Sequence, residues 1–173
     1  MLLQFERRKS PIGTMLVIFD ASGRLRSLDF ADYESRMHLL LRRHYGDYEL
    51  RPDTAPRAIA DPLDDYFTGA IDALDVIEVA TGGTAFQRQV WRALRTIGPG
   101  MTTSYGQLAA QIGHGKASRA VGLANGANPI AIVVPCHRVI GANGKLTGYG
   151  GGLPRKQWLI DHERRHAHQK LAG

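Results

Sequence analysis

Glycine and proline interrupt the second half of the chain at short intervals and limit that half to short helices joined by turns. Residues 84–87 have the TAFQ pattern of a helix capping box, and apolar residues then recur at intervals of three and four. These features predict an amphipathic helix that stops at 98–100, where the sequence is GPG. The SYGQ pattern at 104–107 predicts a second capped helix, which runs through Ile112 and breaks at Gly113.

A third short helix is predicted over residues 117–125, with Gly126 as its stop. Two short helices joined by a few residues that include glycine have the outline of a helix-turn-helix. The last helix is predicted over residues 154–164. The polar residues from about 165 onward are expected to form a frayed tail.

The first eighty residues have a different pattern, in which short apolar runs precede two amphipathic segments. The runs predict strands at 2–8, 14–20 and 24–30, the last two joined as a hairpin. Apolar residues at helical spacing predict helices at 33–45 and 56–67. This part of the chain is therefore expected to be a small α/β domain, a sheet with helices.

The charge of the chain changes sign near residue 81. Residues 1–80 hold 10 Lys or Arg and 14 Asp or Glu, a net charge of −4, whereas residues 81–173 hold 12 and 2, a net charge of +10. A basic half of this kind is typical of a protein that binds a polyanion such as nucleic acid. We therefore predict two domains, 1–80 and 81–173, and an α+β fold class. A small N-terminal α/β domain precedes a mostly helical, winged-helix-like C-terminal domain with a helix-turn-helix.

The composition excludes several classes of protein. One cysteine in 173 residues excludes an internal disulfide and a multi-cysteine zinc site. No apolar stretch reaches the ~18 residues of a transmembrane helix. The charged N-terminus does not have the pattern of a signal peptide. We expect a protein of a reducing compartment, located in the cytoplasm, with no membrane partner.

Cys136 is the candidate nucleophile. The apolar run 130–134 predicts a strand that Pro135 interrupts, so that the thiol lies at a turn. A lone cysteine after an apolar run is usually an inert buried residue. Here His137 supplies an adjacent base and Arg138 adds positive charge, and both favour a reactive thiolate.

A catalytic histidine needs an acceptor that orients it, and two carboxylates are candidates, Asp161 and Glu163, the only acids after residue 80. A surface position in the last helix is the alternative for each. The glycine-rich segment 148–152 has backbone N–H groups that could hold a planar group or a phosphate, but no P-loop motif follows. Three histidines without zinc spacing are expected in a solvated tail: His162, His166 and His168.

Residues 134–139, VPCHRV, are similar to the active-site signature of the O6-alkylguanine-DNA alkyltransferases, the methylated-DNA–protein-cysteine methyltransferases. The resemblance covers residues 82–163 and is specific there, whereas the N-terminal half matches only in size and general pattern. The chain resembles the stand-alone bacterial type, which has no cysteine-rich zinc domain. The further matching segments are FQ and VW within 86–91, SYGQLA at 104–109, SRAVG at 118–122, NGANPI at 125–130, LTGYGGG at 146–152, and KQWL and HE within 156–163.

The resemblance implies a role for each matching residue of the reaction centre. Cys136 is the alkyl acceptor, His137 takes the thiol proton through a water molecule, and Glu163 orients His137. Asn128 is implied to be a hinge between the helix-turn-helix and the active site. Tyr105 is implied to bind the flipped guanine and to stabilise the charge that develops on it.

The resemblance also implies where substrate and DNA bind. Val139, Tyr149 and Gly150 are expected to line the pocket, and position 150 is glycine where some members have serine. Arg119 is expected to fill the gap left by the flipped base. The other expected DNA contacts are Ser104, Lys116, Ala120, Arg138 and Gly126, the last of which is arginine in some members.

These implications define one leading hypothesis: a suicidal methylated-DNA–[protein]-cysteine S-methyltransferase that acts in DNA repair. It flips O6-alkylguanine, with O4-alkylthymine as a second lesion, out of double-stranded DNA from the minor groove and transfers the alkyl group irreversibly to Cys136. Flipping is required because the target oxygen is blocked inside a stacked duplex. The chain is expected to act as a monomer and without cofactor or metal.

Three alternatives remain at the level of sequence. A non-catalytic lesion-binding relative lacks the cysteine that is present here at position 136. An unrelated cysteine hydrolase turns over many times, so the number of turnovers distinguishes it. A helix-turn-helix regulator binds particular sequences, whereas a repair protein binds duplexes with little sequence preference.

Overall fold

The computed structural model describes residues 1–172, with side chains through residue 169. It divides into two compact units. The first comprises Met1–Gly83 together with Pro129–Val133, and the second comprises Thr84–Asn128 together with the residues from Val134 onward. The first unit thus includes Pro129–Val133 as well as the residues before Thr84, whereas the change of charge suggests a single boundary at residue 81.

The first unit contains a four-stranded sheet in the order β3-β2-β1-β4. Its strands are β1 (Leu2–Arg8), β2 (Met15–Phe19), β3 (Leu25–Phe30) and β4 (Glu49–Pro52). β2 pairs antiparallel with both β1 and β3, and β4 adds to the edge parallel to β1. β4 was not predicted, because it is an edge strand of only four residues that are largely exposed and that end at a proline.

Two helices and two short 3₁₀ turns complete this unit. The 3₁₀ turns are Ala31–Tyr33 and Ala73–Val76, and the helices are α1 (Glu34–Tyr45) and α2 (Arg57–Phe67). α1 buries the apolar side chains that its helical spacing predicted. They form a core cluster with residues of β1 and β2: Leu3, Leu16, Ile18, Met37 and Leu41.

The second unit is mainly helical, as predicted, and the α+β fold class is confirmed. It contains α3 (Ala85–Leu94), α4 (Tyr105–Gln111), α5 (Ser118–Gly126) and α6 (Leu153–Ala172). A pair of two-residue strands, β5 (Thr103–Ser104) and β6 (Val139–Ile140), runs parallel. The residues that carry the site lie on these elements and on the 3₁₀ turn Cys136–Arg138.

Both predicted capping boxes are present. The Thr84 hydroxyl accepts a hydrogen bond from the Gln87 N–H at 3.1 Å, and the Gln87 side chain accepts one from the Thr84 N–H at 3.0 Å. Ser104 and Gln107 make the same reciprocal pair at the start of α4. These contacts satisfy backbone donors that the first turn of a helix leaves without intrahelical partners.

α4 and α5 form the predicted helix-turn-helix outline. Gly113 follows α4 with a φ of +80°, a left-handed conformation that glycine adopts without strain, so the predicted break is confirmed. The prediction that Gly126 stops α5 is wrong, because Gly126 is the last helical residue and Ala127 occupies the C-cap. The structure therefore ends α5 without a left-handed glycine.

The apolar run at 130–134 is not the strand that its composition predicted. Ile130 makes a single parallel bridge to Leu28 of β3, and Ile132 lies in the left-handed region at a φ of +69°. The Val133 N–H donates to the Ala131 carbonyl at 2.8 Å, which closes a γ-turn around Ile132. This turn is rare and strained for a β-branched residue.

α6 is longer than predicted. The helix continues through Ala172 where a frayed tail was expected from about 165, and His162 is buried rather than solvated. The His162 ring stacks on Trp158 at a centroid distance of 4.6 Å and contacts the His166 ring at 4.5 Å. Only His168, of the three histidines placed in a solvated tail, has the expected exposure. None of the helices in residues 1–172 is both long enough and apolar enough to span a bilayer.

We predict that Thr84→Ala destabilises the second unit by about 1 kcal/mol, because the first turn of α3 loses its side-chain cap. Urea unfolding followed by tryptophan fluorescence measures this directly, since both tryptophans, Trp91 and Trp158, lie in this unit. The control is Ser118→Ala at the start of α5, whose N-terminus has no side-chain cap. An equal loss of stability in both variants contradicts the assigned role of the capping box.

Candidate active site

Cys136 opens a 3₁₀ turn directly after Pro135. The Cys136 N–H donates to the Val134 carbonyl at 2.8 Å, and Pro135 has φ −83° and ψ +65°. This is an inverse γ-turn, a low-energy bend that proline's fixed φ favours. The expectation that Pro135 places the thiol at a turn agrees with this geometry, and the Cys136 side chain is 7% exposed.

His137 is completely buried and contacts Glu163. Its Nε2 lies 2.8 Å from the Glu163 Oε2. Because an ionised carboxylate only accepts hydrogen bonds, Nε2 carries the proton and donates. The other ring nitrogen, Nδ1, is buried and has no hydrogen-bond partner among the described residues. In the neutral ring, Nδ1 is therefore the basic nitrogen.

Arg138 is placed differently from its predicted role as a DNA contact. It is 5% exposed, and its guanidinium donates from Nε to Glu163 Oε1 at 2.8 Å and from Nη2 to Oε2 at 3.0 Å. A third donor, Nη1, contacts the Ile97 carbonyl at 2.5 Å. The expectation of a DNA contact is corrected by this burial, because the guanidinium holds Glu163 instead of facing solvent.

The carboxylate of Glu163 is the centre of this network. Burial alone raises the pKa of Glu163, but the charges and hydrogen bonds of His137 and Arg138 outweigh it and hold the pKa well below the usual 4.5. The Gly100 N–H adds a longer contact to Oε1 at 3.4 Å. Gly100 has a φ of +85°, and a Cβ there would lie 2.9 Å from Ala167, so only glycine fits against α6.

Two buried asparagines hold the backbone around the cysteine. Asn128 Nδ2 donates to the Val134 carbonyl at 2.8 Å, which joins the two ends of the segment between them. Asn125 Nδ2 donates to the Cys136 carbonyl at 3.4 Å. Asn128 was singled out from the resemblance, whereas Asn125 was not; its position on the buried side of α5 was the available signal.

Lys156 is a buried cation for which the sequence alone predicts no role. Its side chain is 0% exposed, and Nζ donates to the carbonyls of Val139 at 2.6 Å and Thr147 at 2.7 Å. Burial lowers the pKa of Lys156 below 10.5, while the negative charge of an ionised Cys136 acts in the opposite direction. Lys156 therefore joins the segment after Cys136 to Thr147, directly before the glycine-rich segment 148–152, and its positive charge favours the thiolate.

Tyr105 lies beside α5 and bonds the residue before the glycine-rich segment. A Cβ at Gly122 would lie 3.6 Å from the Tyr105 ring, and the Tyr105 hydroxyl is 2.8 Å from the Thr147 Oγ1. The β5–β6 pairing, with Thr103 opposite Val139, fixes the start of α4 beside the segment that follows Cys136. Val139 is buried, and Tyr149 and Gly150 are partly exposed on the loop.

The other expected DNA contacts lie at the surface of the helix-turn-helix. Lys116 is exposed in the turn, and Arg119, Ala120 and Gly126 are exposed on α5. Ser104 is partly exposed, but its hydroxyl already accepts the α4 capping hydrogen bond. Within residues 1–169, no group of three His, Cys, Asp or Glu side chains is arranged to hold a metal ion. The residues of the site therefore separate into a buried reaction centre and an exposed basic face.

Comparison with known proteins places this arrangement in a family. Residues 85–165 match the model of the 6-O-methylguanine DNA methyltransferase, DNA binding domain. A methylated-DNA–protein-cysteine methyltransferase of Salmonella typhimurium is 54% identical over 160 residues, which are 91% of this chain and 94% of the relative. The chain belongs to the methylated-DNA–protein-cysteine methyltransferase family.

Two solved structures show the same fold. The Mycobacterium tuberculosis OGT in complex with DNA aligns with a TM-score of 0.78 and 43% identity, covering 96% of this chain and 94% of that one. The O6-methylguanine-DNA methyltransferase of the archaeon Pyrococcus kodakaraensis aligns with a TM-score of 0.64 and 25% identity, covering 93% and 98%. Both units of the methyltransferase fold are thus included in the similarity.

We predict that Glu163→Gln destabilises the protein by about 3 kcal/mol near neutral pH, because Arg138 stays buried without its counter-charge. The pKa of Glu163 is lowered by folding, so its contribution is complete above 4.5, the usual value for this carboxyl, and is lost as the pH falls toward the folded value. The difference in free energy of unfolding between wild type and Glu163→Gln should therefore shrink below pH 4.5.

Urea unfolding at several pH values measures this difference. The matched control is Asp161→Asn in the same helix, because Asp161 is exposed and, among the described side chains, accepts a hydrogen bond only from Gln157. Its effect on stability should stay below about 0.5 kcal/mol. A Glu163→Gln effect that does not change with pH would show that Glu163 is not stabilised by charge in the folded state.

Proposed function

We propose that this protein repairs DNA by moving an alkyl group from O6 of guanine to the Sγ of Cys136, in a reaction that each molecule performs once. The observation that carries the proposal is the buried imidazole of His137, the residue after Cys136 in the sequence: Glu163 holds its Nε2, and its Nδ1 has no hydrogen-bond partner among the described residues. The names of the family members, and the DNA in the Mycobacterium tuberculosis complex, support the same reaction and partner.

The reaction is a nucleophilic displacement at the alkyl carbon. His137 Nδ1 takes the Cys136 proton through a water molecule, and Glu163 orients the imidazole and stabilises its positive charge. The thiolate forms an S–C bond as the O6–C bond breaks, and the bonding electrons pass to the guanine oxygen. Lys156 lowers the cost of the thiolate by its buried charge.

The guanine must leave the stack before the thiolate can reach it, at a cost of a few kcal/mol. Tyr105 donates a hydrogen bond to the extruded base after exchanging its present partner, Thr147, and stabilises the charge that develops on the leaving guanine. Backbone groups of Val139 and the loop at Tyr149 and Gly150 line the pocket. Because position 150 is glycine, it offers a backbone N–H but no hydroxyl.

The helix-turn-helix holds the duplex, and Asn128 joins it to the active-site segment through Val134. We place α5 in the minor groove of double-stranded DNA. Arg119 fills the space of the flipped base, and the neighbouring contacts come from Ser104, Lys116, Ala120 and Gly126. The protein binds as a monomer, with O4-alkylthymine as a second lesion.

The thioether product is permanent, because no second thiol is present to accept the group. We predict that alkyl groups removed never exceed protein molecules. Intact-mass and peptide mass spectrometry after incubation with methylated duplex should show one added methyl on the peptide that contains Cys136. Several transfers per molecule would establish a turnover enzyme instead.

We predict that Cys136→Ser binds the same duplex and transfers no alkyl group, since a hydroxyl ionises far less readily than a thiol.

We predict that Arg119→Ala slows repair of duplex DNA at saturating protein by about tenfold or more, while the reaction with free O6-benzylguanine changes little. A side chain that fills the gap offsets the free-energy cost of flipping a base out of the stack. Its loss therefore slows the reaction with duplex DNA but not the reaction with a free base, which has no stack to leave. Single-turnover rates on both substrates measure this effect.

Other outcomes for Arg119→Ala have different meanings. A duplex rate that returns to the wild-type value at saturation would reduce Arg119 to a phosphate contact. Equal slowing on duplex and free base would indicate a damaged fold. Lys116→Ala is the matched control, because it removes an exposed cation from the same motif and should weaken binding without slowing the bound complex.

A further inference from the structure

One face of α5 carries a large apolar side chain that the protein core does not use. Val121, Ala124 and Asn125 form the buried side of the helix. Leu123 points away from them and is 74% exposed. Leucine and alanine have similar helix propensities, so formation of α5 does not require leucine at this position.

Exposure alone carries no conclusion, because single exposed apolar residues are normal on protein surfaces. The neighbours of Leu123 distinguish it. Arg119 lies one turn earlier on the same face, at a spacing of four residues, and Gly126 lies three residues later. Ala120 is exposed beside them. We call these four residues the α5 contact face.

The α5 contact face has one cation, one large apolar side chain and two small residues. A Cβ built at Gly126 would meet no described atom within 4 Å outside its chain neighbours and the backbone of its own helix, so this position presents an uncovered backbone surface. Residues 81–173 have a net charge of +10 and only two acids, both on α6, so α5 itself carries no acid. This combination suits the minor groove, where proteins place arginines and insert leucine between base steps.

We propose that Leu123 is an apolar wedge that packs against the sugars and base edges of the DNA minor groove, one helical turn from Arg119. This inference rests on the proposed function, because it takes α5 as the DNA-binding helix. Four residues span about 6 Å of helix axis, close to two base steps of 3.4 Å. Leu123 thus contacts the duplex about two base steps from the site of extrusion.

Loss of an apolar wedge and loss of a phosphate contact change the salt dependence of DNA affinity differently. Removing a lysine from a phosphate lowers the slope of log K against log salt by about one, because fewer counterions are released. Removing an apolar wedge leaves that slope unchanged and lowers affinity equally at every salt concentration. The size of a leucine contact predicts a loss of about 5- to 20-fold for Leu123→Ala.

The experiment is fluorescence anisotropy of an undamaged labelled duplex at 50 to about 300 mM salt, with wild type and four variants. Leu123→Ala should show the uniform loss, and Leu123→Met should retain affinity within about threefold because methionine also serves as a wedge. Lys116→Ala should reduce the slope. Leu39→Ala is the matched control, since Leu39 is 54% exposed in the first unit and should bind as wild type.

The outcomes separate the wedge from its alternatives. Wild-type affinity in Leu123→Ala, or a loss accompanied by a changed slope, overturns the wedge. A change in sedimentation coefficient between wild type and Leu123→Ala without DNA assigns the face to a second copy of the chain and also overturns it. Thermal unfolding of Leu123→Ala should match wild type, and a large shift would assign Leu123 to folding. Failure of the wild type itself to bind duplex or accept an alkyl group instead rejects the proposed function.

Discussion

The buried carboxylate of Glu163 is the interaction on which the site depends. Its two oxygens accept hydrogen bonds from His137, from two nitrogens of Arg138 and, at longer range, from the Gly100 N–H. A buried charge is costly unless each of its acceptor positions is used, and here His137 and Arg138 compensate the desolvation and keep the pKa low. The Glu163 carboxylate therefore joins α6 to the 3₁₀ turn Cys136–Arg138 and to Gly100 in the loop after α3. It also fixes the imidazole tautomer, so that a structural interaction leaves Nδ1 as the basic nitrogen of the proposed base, His137.

The backbone around Cys136 is shaped by turns rather than by a strand. The inverse γ-turn at Pro135 bends the chain immediately before the thiol, and Asn128 and Asn125 bond the carbonyls on either side of that bend. Side-chain amides replace the ladder partners that a strand would have supplied. On the other side of the cysteine, Lys156 bonds the Val139 carbonyl. The thiol thus lies in a rigid setting, which suits a nucleophile that must approach its target along one direction.

The proposed reaction centre and the α5 contact face, both in the second unit, depend on different kinds of interaction. The reaction centre is buried and relies on directional hydrogen bonds in a low dielectric, where each is strong. The α5 contact face is exposed and combines charge with small and apolar groups, and it is the face proposed to contact the duplex. Tyr105 links the two regions, because its ring lies beside Gly122 of α5 while its hydroxyl bonds Thr147, directly before the glycine-rich segment 148–152. A duplex that contacts α5 is therefore close to the group proposed to bind the extruded base.

The sequence by itself determined the features that are encoded locally. The capping boxes at Thr84 and Ser104, the break at Gly113 and the adjacency of Cys136 and His137 all depend on residues within a few positions of one another. Tertiary structure alone decided the rest. Asp161 and Glu163 are two residues apart in one helix and therefore face different sides, so packing sets which of them reaches His137, 26 residues away. The same packing buries Arg138, for which the resemblance implied a DNA contact. It also bends the apolar run 130–134 into a γ-turn at Ile132, where the sequence predicted a strand. Composition reports how apolar a segment is, but the partners that satisfy its backbone come from distant parts of the chain.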